Sequence, residues 1–481
     1  TLGSTADEVF SSGSTGSSIV NFGTLVLNAA NTHRIRPVSF TNQGTVRVDV
    51  GELEIMASGT DTGAYIIGTG TASAGLYFTG GTRILGSASR VSGSGSLSVN
   101  GAIVNADGSL SLANTGSVIK VYGGALNLGT LVSGTLAPVV IDGYGAALNV
   151  NTSQAVSMPS LTLNAGTLGG TGNVIVLGNF NVTTVESHIL GTGTLTTKGT
   201  TVVDMPSANG GYLSVSQGRT WINQGSLNVG GNEEISFGFD GGGTNTFINE
   251  ANAVINLTSS NPSPLKSYGG TSTLLNQGTL ALNSGGTYSV IVTNLTNTGS
   301  MLVNAGTVGT DAISTLTQSG LLNVASGATF QRSGLVNSTL GTLSGNGTIS
   351  TSTLTNDGTI RPGADGGVGT VGRLSIVGNL SLGSSGALEI DIQGSAAVSQ
   401  HDQVAVSGQL DAGGTLRLTE GAGFKTRFSD NLTVLTQGSA TGYFPTITST
   451  STGVTFGAGV GSTTSTVPPA SDTAMLIAPA G

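Results

Sequence analysis

Residues 276–284 read NQGTLALNS, residues 297–305 read NTGSMLVNA, and residues 318–326 read QSGLLNVAS. Superposed, their glycines Gly278, Gly299 and Gly320 fall 21 residues apart, and Gly341 continues the series. Three apolar columns share that register. Leu280, Met301, Leu322 and Leu343 form one, Leu282, Val303 and Val324 a second, and Leu274, Leu295 and Leu316 a third. Within each segment the apolar residues lie two apart, the period of a strand with one buried face, and the glycines stand where the chain turns. A single segment has nothing to bury that face against. Stacked segments do, and stacking sets Asn276 above Asn297 in a ladder of turn amides. The spacing predicts an all-β fold, a single-stranded parallel β-solenoid with about 21 residues per coil and irregular longer coils. The usual crossover handedness of parallel strands makes it a right-handed β-helix.

Related cassettes lie outside this block: NQGTVRVDV from 42, NTGSVIKVY from 114, NQGSLNVGG from 223 and NDGTIRPGA from 356. Gly23 to Gly44 and Gly172 to Gly193 keep the 21-residue step, while other intervals are longer and imply loop insertions. At roughly 4.8 Å per coil, the chain would make about 20 coils and a rod on the order of 100 Å long. The domain reading is an extended N-terminal segment at 1–18, solenoid repeats at 19–360, C-terminal coils and closing strands at 361–457, and an extended Pro-containing tail at 458–481.

Composition agrees with this reading. Of 481 residues 79 are Gly and only 8% are charged, whereas helical enzymes carry about a quarter charged residues paired along helix faces. With 37% hydrophobic residues, the chain is too apolar for a disordered low-complexity segment. A net charge of −9 leaves no electrostatic footprint for nucleic acid or an anionic membrane. The one basic cluster, Arg34 and Arg36 beside His33 with Arg47 following, reads as the edge of a strand. Without cysteine, neither a disulfide framework nor a thiolate metal site is possible. The longest uncharged apolar stretch near the end, AMLIAPA at 474–480, falls short of a membrane-spanning helix. The chain starts at Thr1 without a charged-then-apolar leader, which we read as a signal peptide already removed from an extracellular or bacterial cell-surface protein.

From about residue 340 the chain resembles the end of autotransporter-type passenger domains and related secreted bacterial β-helix adhesins. The resemblance is carried by LSGNGTIS at 343–350, LTNDGTIRPGADGGVGTVGRLSIVGNLSLGSSGALEIDI at 354–392 and HDQVAVSGQLDAGGTLRL at 401–418. It implies the last coils of a right-handed β-helix with closing strands, and roles in adhesion, biofilm or matrix. Autotransporters continue into a membrane barrel, for which nothing after residue 457 provides strands. The expectation is therefore a cleaved passenger, or a secreted protein of the same repeat type.

Catalytic chemistry is hard to assemble from this sequence. Its only imidazoles are His33, His188 and His401, and no GxSxG elbow accompanies its serines. A β-helical polysaccharide lyase or hydrolase would need converging carboxylates, for which the same-strand pairs are Glu52 with Glu54 and Glu389 with Asp391. Each pair also reads as the solvated face of a strand. Asp357 and Asp365, in the Gly-rich stretch NDGTIRPGADGG, are weak calcium candidates. No cofactor motif is present. Trp221 reads as core or coil edge, and Phe237 with Phe239, two apart, read as core. No pair of threonine columns of the ice-binding type survives alignment of the repeats.

A solenoid exposes unpaired strand edges at its first and last coils. Both terminal stretches are polar or Pro-containing, and Met475, Leu476 and Ile477 form an apolar tip able to add to a neighbour as a strand. The functional expectation is a non-catalytic extracellular structural protein that polymerises with itself. The alternatives are a monomeric adhesin for cell-surface glycans or a host surface, and a polysaccharide-active enzyme.

Overall fold

Strands form wherever apolar residues alternate with small polar ones, and they stack in parallel. The computed structural model describes residues 8–11, 16–69, 73–112, 116–206, 210–364, 369–426, 432–450 and 464–467. The fold is all-β, a β-solenoid of about 16 turns spaced about 22 residues apart. The 21-residue step predicted about 20 turns, and corner insertions account for the difference. The step is 28 residues from Thr359 to Ala387 and again from Ala387 to Thr415, then 31 from Thr415 to Thr446. Among the described residues, no helix is long and apolar enough to cross a membrane.

Two compact units divide the chain: Thr1–Phe247 with Ser267–Ser272, and Ile248–Lys266 with Thr273–Gly481. In the second unit three strands make one coil. Thr279–Leu282, Ser300–Val303 and Leu321–Val324 stack in one ladder, and Thr287–Ile291, Thr307–Gly309 and Thr329–Gln331 in another. The predicted columns are present: Leu280 on Met301, Leu322 and Leu343; Leu282 on Val303 and Val324; Leu274 on Leu295 and Leu316.

The amide ladder is longer than the two rungs predicted. Asn249 donates to Asn276 at 2.8 Å, Asn276 to Asn297 at 2.7 Å, and Asn297 to Gln318 at 2.9 Å. All four side chains are buried. Each of the three asparagines also donates to a backbone carbonyl, of Thr279, Ser300 and Leu321 in turn. The buried amides are thus neutral and well partnered, the condition under which polar groups are tolerated in a core. A glycine column runs beside them because a Cβ at Gly299 would run into the carbonyl oxygen of Gly278.

The first unit has an equivalent column, Leu97, Ile119, Val139, Leu161, Phe180, Thr201 and Leu227, all buried and apolar except for Thr201. Beside amides such as the buried Asn42, which accepts from Asn21 at 2.8 Å, it holds a charged interior pair. Arg83 pairs with Asp61, both fully buried, and donates to the carbonyls of Phe40 at 2.6 Å and Ala57 at 3.2 Å. Asp61 also accepts from Tyr65 at 2.9 Å and from the Asn42 N–H at 2.7 Å. These bonds partner a pair whose removal from water is otherwise costly, leaving the Arg83 Nε as its one buried polar atom without a hydrogen bond. Trp221 lies in the core as read, stacked on Phe247 at 4.8 Å and donating to Thr197 at 3.2 Å.

At the other end of the sequence, Thr464–Val467 pairs antiparallel with Leu432–Thr436. Met475, Leu476 and Ile477 lie outside the described residues.

Candidate functional site

The carboxylate pairs were expected to share strand faces, and they do. In Thr45–Ile55 the core takes Gly51, Leu53 and Ile55, leaving Glu52 and Glu54 outward. Their environments then separate them. Glu54 is ion-paired with Arg34 at 2.8 Å on the neighbouring strand. Glu52 accepts from Thr32 at 3.0 Å and from the Tyr77 hydroxyl at 2.9 Å, and it lines an open cleft of about 360 Å³ with Gly75 and Ser96. Burial, with the bond to Glu52 adding to it, pushes the Tyr77 phenol up to about 12. Glu54 is thus held by an arginine, and Glu52 by a threonine and a tyrosine.

Glu389 is held more tightly. It pairs with both Arg361 and Arg417, the latter at 2.6 Å, in an Arg–Glu–Arg ladder across three strands. Asp391 faces the same way but is covered by the chain around Gly369, whose N–H donates to it at 2.6 Å. Asp402 is fully buried beneath, accepting from the N–H groups of Gly372 at 2.8 Å and Asp391 at 2.9 Å, and burial pushes its carboxyl up to about 7. His401 is buried between the carbonyls of Gly394 and Thr433, and burial lowers its pKa.

Of the calcium candidates, Asp357 is half-buried and Asp365 lies outside the described residues. Among the described residues no three His, Asp or Glu side chains gather as metal ligands. The basic cluster is internally engaged: Arg34 meets Glu54, Arg47 chelates Asp49 at 2.8 and 2.9 Å, and His33 is buried against the carbonyl of Asn31.

The most exposed specialised chemistry lies on the first unit, at residues the sequence reading placed elsewhere or passed over. Phe237 is core, but Phe239 is not: its side chain is 45% exposed. The alternation of two breaks at Gly238, whose φ of +74° turns the chain outward. Phe239 meets Tyr212 at 4.8 Å and Tyr268, 47% exposed, at 5.1 Å; His188 meets Tyr212 at 6.1 Å. Four rings therefore run across neighbouring coils as a tilted surface strip.

This strip is braced from below. His188 Nδ1 lies 2.7 Å from Asp240 Oδ2, and the Asp240 N–H donates to Ser216 at 3.1 Å. Gln217 donates its side chain to the Asp240 carbonyl at 3.2 Å and its N–H to the Gly242 carbonyl at 2.8 Å. The Tyr268 N–H donates to the Phe237 carbonyl at 2.8 Å. Burial raises the Tyr212 phenol, with Glu186, Asp240, Tyr144 and Tyr268 adding to the shift. Glu186 and Gln217 hold φ of +62° and +68°, conformations that cost a non-glycine residue about 1–3 kcal/mol and cluster at functional sites. A signal for the strip existed in the sequence: each aromatic stands within two residues of a glycine pair, as GGY at 210–212, FDGG at 239–242 and YGG at 268–270.

The chain matches no protein-family model and no curated protein sequence.

Proposed function

We propose that the chain is an extracellular, non-catalytic structural β-solenoid of a bacterial surface or matrix that assembles head to tail into filaments. The observation that carries this reading is the open head of two core columns in the first unit, the column through Ile35 being closed by Glu8–Ser11, which sets Phe10 on it. Ile19 leads to Phe40, and Leu25 leads to Val46 and Tyr65. Those followers are at most 1% exposed, whereas Ile19 and Leu25 are only half-buried, with Val20 and Phe22 exposed beside them. Among the described residues, strand Ser18–Asn21 pairs on one side, with Ser39–Asn42. A one-sided strand over an open core end accepts another coil, and a second copy of the chain supplies one. The structural ties on Glu54, Glu389 and Asp391 support a non-catalytic role. The passenger-like segment at 343–418 supports secretion.

Sedimentation velocity over a concentration series tests the assembly. The intact chain should form growing species, and Ile19→Asp with Leu25→Asp should remain monomeric. An intact chain that stays monomeric throughout rejects it. Turnover of a uronic-acid polymer that is lost on Glu389→Gln would replace the structural reading with an enzymatic one. A second reading, a surface adhesin, is favoured by the exposed aromatic strip.

A further inference from the structure

We propose that Tyr212, Phe239 and Tyr268, with Asp240 and Glu186 at their rim, bind an uncharged polysaccharide strand laid across successive coils. The inference rests on the adhesin reading and names the ligand class of its surface.

Three observations point to this occupant. First, the rings are exposed yet fixed. Phe239 and Tyr268 are nearly half exposed, and their corners are tied by Asp240, Gln217 and the Tyr268–Phe237 backbone bond. A pre-set aromatic surface loses little freedom on binding.

Second, the repeat suits a sugar chain. Neighbouring ring centres lie 4.8 and 5.1 Å apart, close to the strand separation of roughly 4.8 Å that sets the rise of a coil. An extended pyranose has a similar length, and its C–H face packs on an aromatic ring. The rings are tilted by 48° and 84° to one another, so the strip is corrugated and follows a twisted strand better than a flat one.

Third, the charge and hydrogen-bonding character select the class. Asp240, next to Phe239 and held by His188 at 2.7 Å, and the exposed Glu186 put carboxylates beside the rings, and such groups accept hydrogen bonds from hydroxyl donors and disfavour an acidic polymer. A proline-rich segment also docks on aromatic grooves but brings carbonyl acceptors and no hydroxyl donors for these carboxylates, so it is set against the glycans in the titration.

The test is calorimetric titration of the full chain with hexasaccharides of β-1,4-glucose, β-1,3-glucose, α-1,4-glucose and N-acetylglucosamine, against a hexameric uronate and a proline-rich peptide. Binding of at least one neutral hexamer is expected, with the uronate not bound. Phe239→Ala with Tyr268→Ala should weaken that binding about tenfold or more, as loss of two stacking faces implies. Unchanged emission from buried Trp221 would confirm that the variant is folded, and Phe239→Tyr should retain affinity. The proposal is overturned if no neutral hexamer binds, if the folded double variant binds equally well, or if the uronate or the peptide binds more tightly. Sedimentation of the same double variant keeps the two ideas apart. Assembly should persist without the rings, so loss of glycan binding leaves the filament standing, and failure to assemble leaves glycan binding to be judged on the titration alone.

Discussion

The coils around Asn276–Gln318 and those around His188–Asp240 meet the same demand in opposite ways. In the first stretch, which belongs to the second unit, each rung repeats the one before, with a side-chain amide, the same glycine and a leucine or valine in the same column. In the second stretch, which belongs to the first unit, corners lengthen, two non-glycine residues adopt left-handed backbone, and aromatic rings stand in solvent. Regularity satisfies the backbone and buries the core. Departures from it place side chains that the fold alone does not require.

Mutations can break this comparison, beginning with the largest expected effect. Arg83→Ala leaves Asp61 charged, buried and without its counter-ion, a loss of about 4 kcal/mol in urea unfolding. An effect under about 1 kcal/mol would mean that the bonds from Tyr65 and Asn42 hold Asp61 without the arginine. Gly299→Ala forces a methyl against the Gly278 carbonyl in the regular ladder and should cost about 3 kcal/mol. Asn297→Ala strips partners from Asn276, Gln318 and the Leu321 carbonyl, for about 2 kcal/mol. Phe239→Ala, on the irregular side, should stay within about 0.5 kcal/mol of the parent chain because its ring faces solvent. Equal costs for Asn297→Ala and Phe239→Ala would erase the distinction between scaffold and surface.

The C-terminal coils add a pH test. The Asp402 carboxyl is raised to about 7 in the folded chain, above the usual value of about 3.9 when unfolded. The folded state therefore holds more protons between those values, and this residue's contribution to stability declines as pH rises from about 4 to 7. His401, lowered by burial, acts oppositely: its contribution is lost as pH falls through its lowered pKa. Asp391 and Arg361 also act on Asp402, the first raising and the second lowering its pKa. Thermal melts at pH 4.5, 6 and 7.5 should show the Asp402 component as a slope that Asp402→Asn flattens. An unchanged slope would place the pH dependence elsewhere.

What could be read from the sequence follows from the same contrast. The columns through Leu280 and Leu282, and the Asn276–Asn297 rung, were legible because equal coil lengths keep equivalent residues at fixed offsets. The number of turns was not, because insertions such as the one that lengthens the step from Thr415 to Thr446 to 31 residues leave the strand pattern unchanged. The shared faces of Glu52 with Glu54 and Glu389 with Asp391 were legible from alternation. Their partners Arg34 and Arg417 were not, since 20 and 28 residues separate them in sequence and only the coil register joins them. Phe239 was misplaced into the core because one left-handed glycine, Gly238, inverts the alternation that strand reasoning relies on.

The central claim is that coils continue from one molecule into the next, and microscopy with fibre diffraction of the concentrated, purified chain tests it most directly. Filaments are expected, with a meridional reflection near roughly 4.8 Å, the strand separation along the stacking axis, and they should be lost in Ile19→Asp with Leu25→Asp. Isolated single particles at every concentration, or filaments that survive that double substitution, would contradict it.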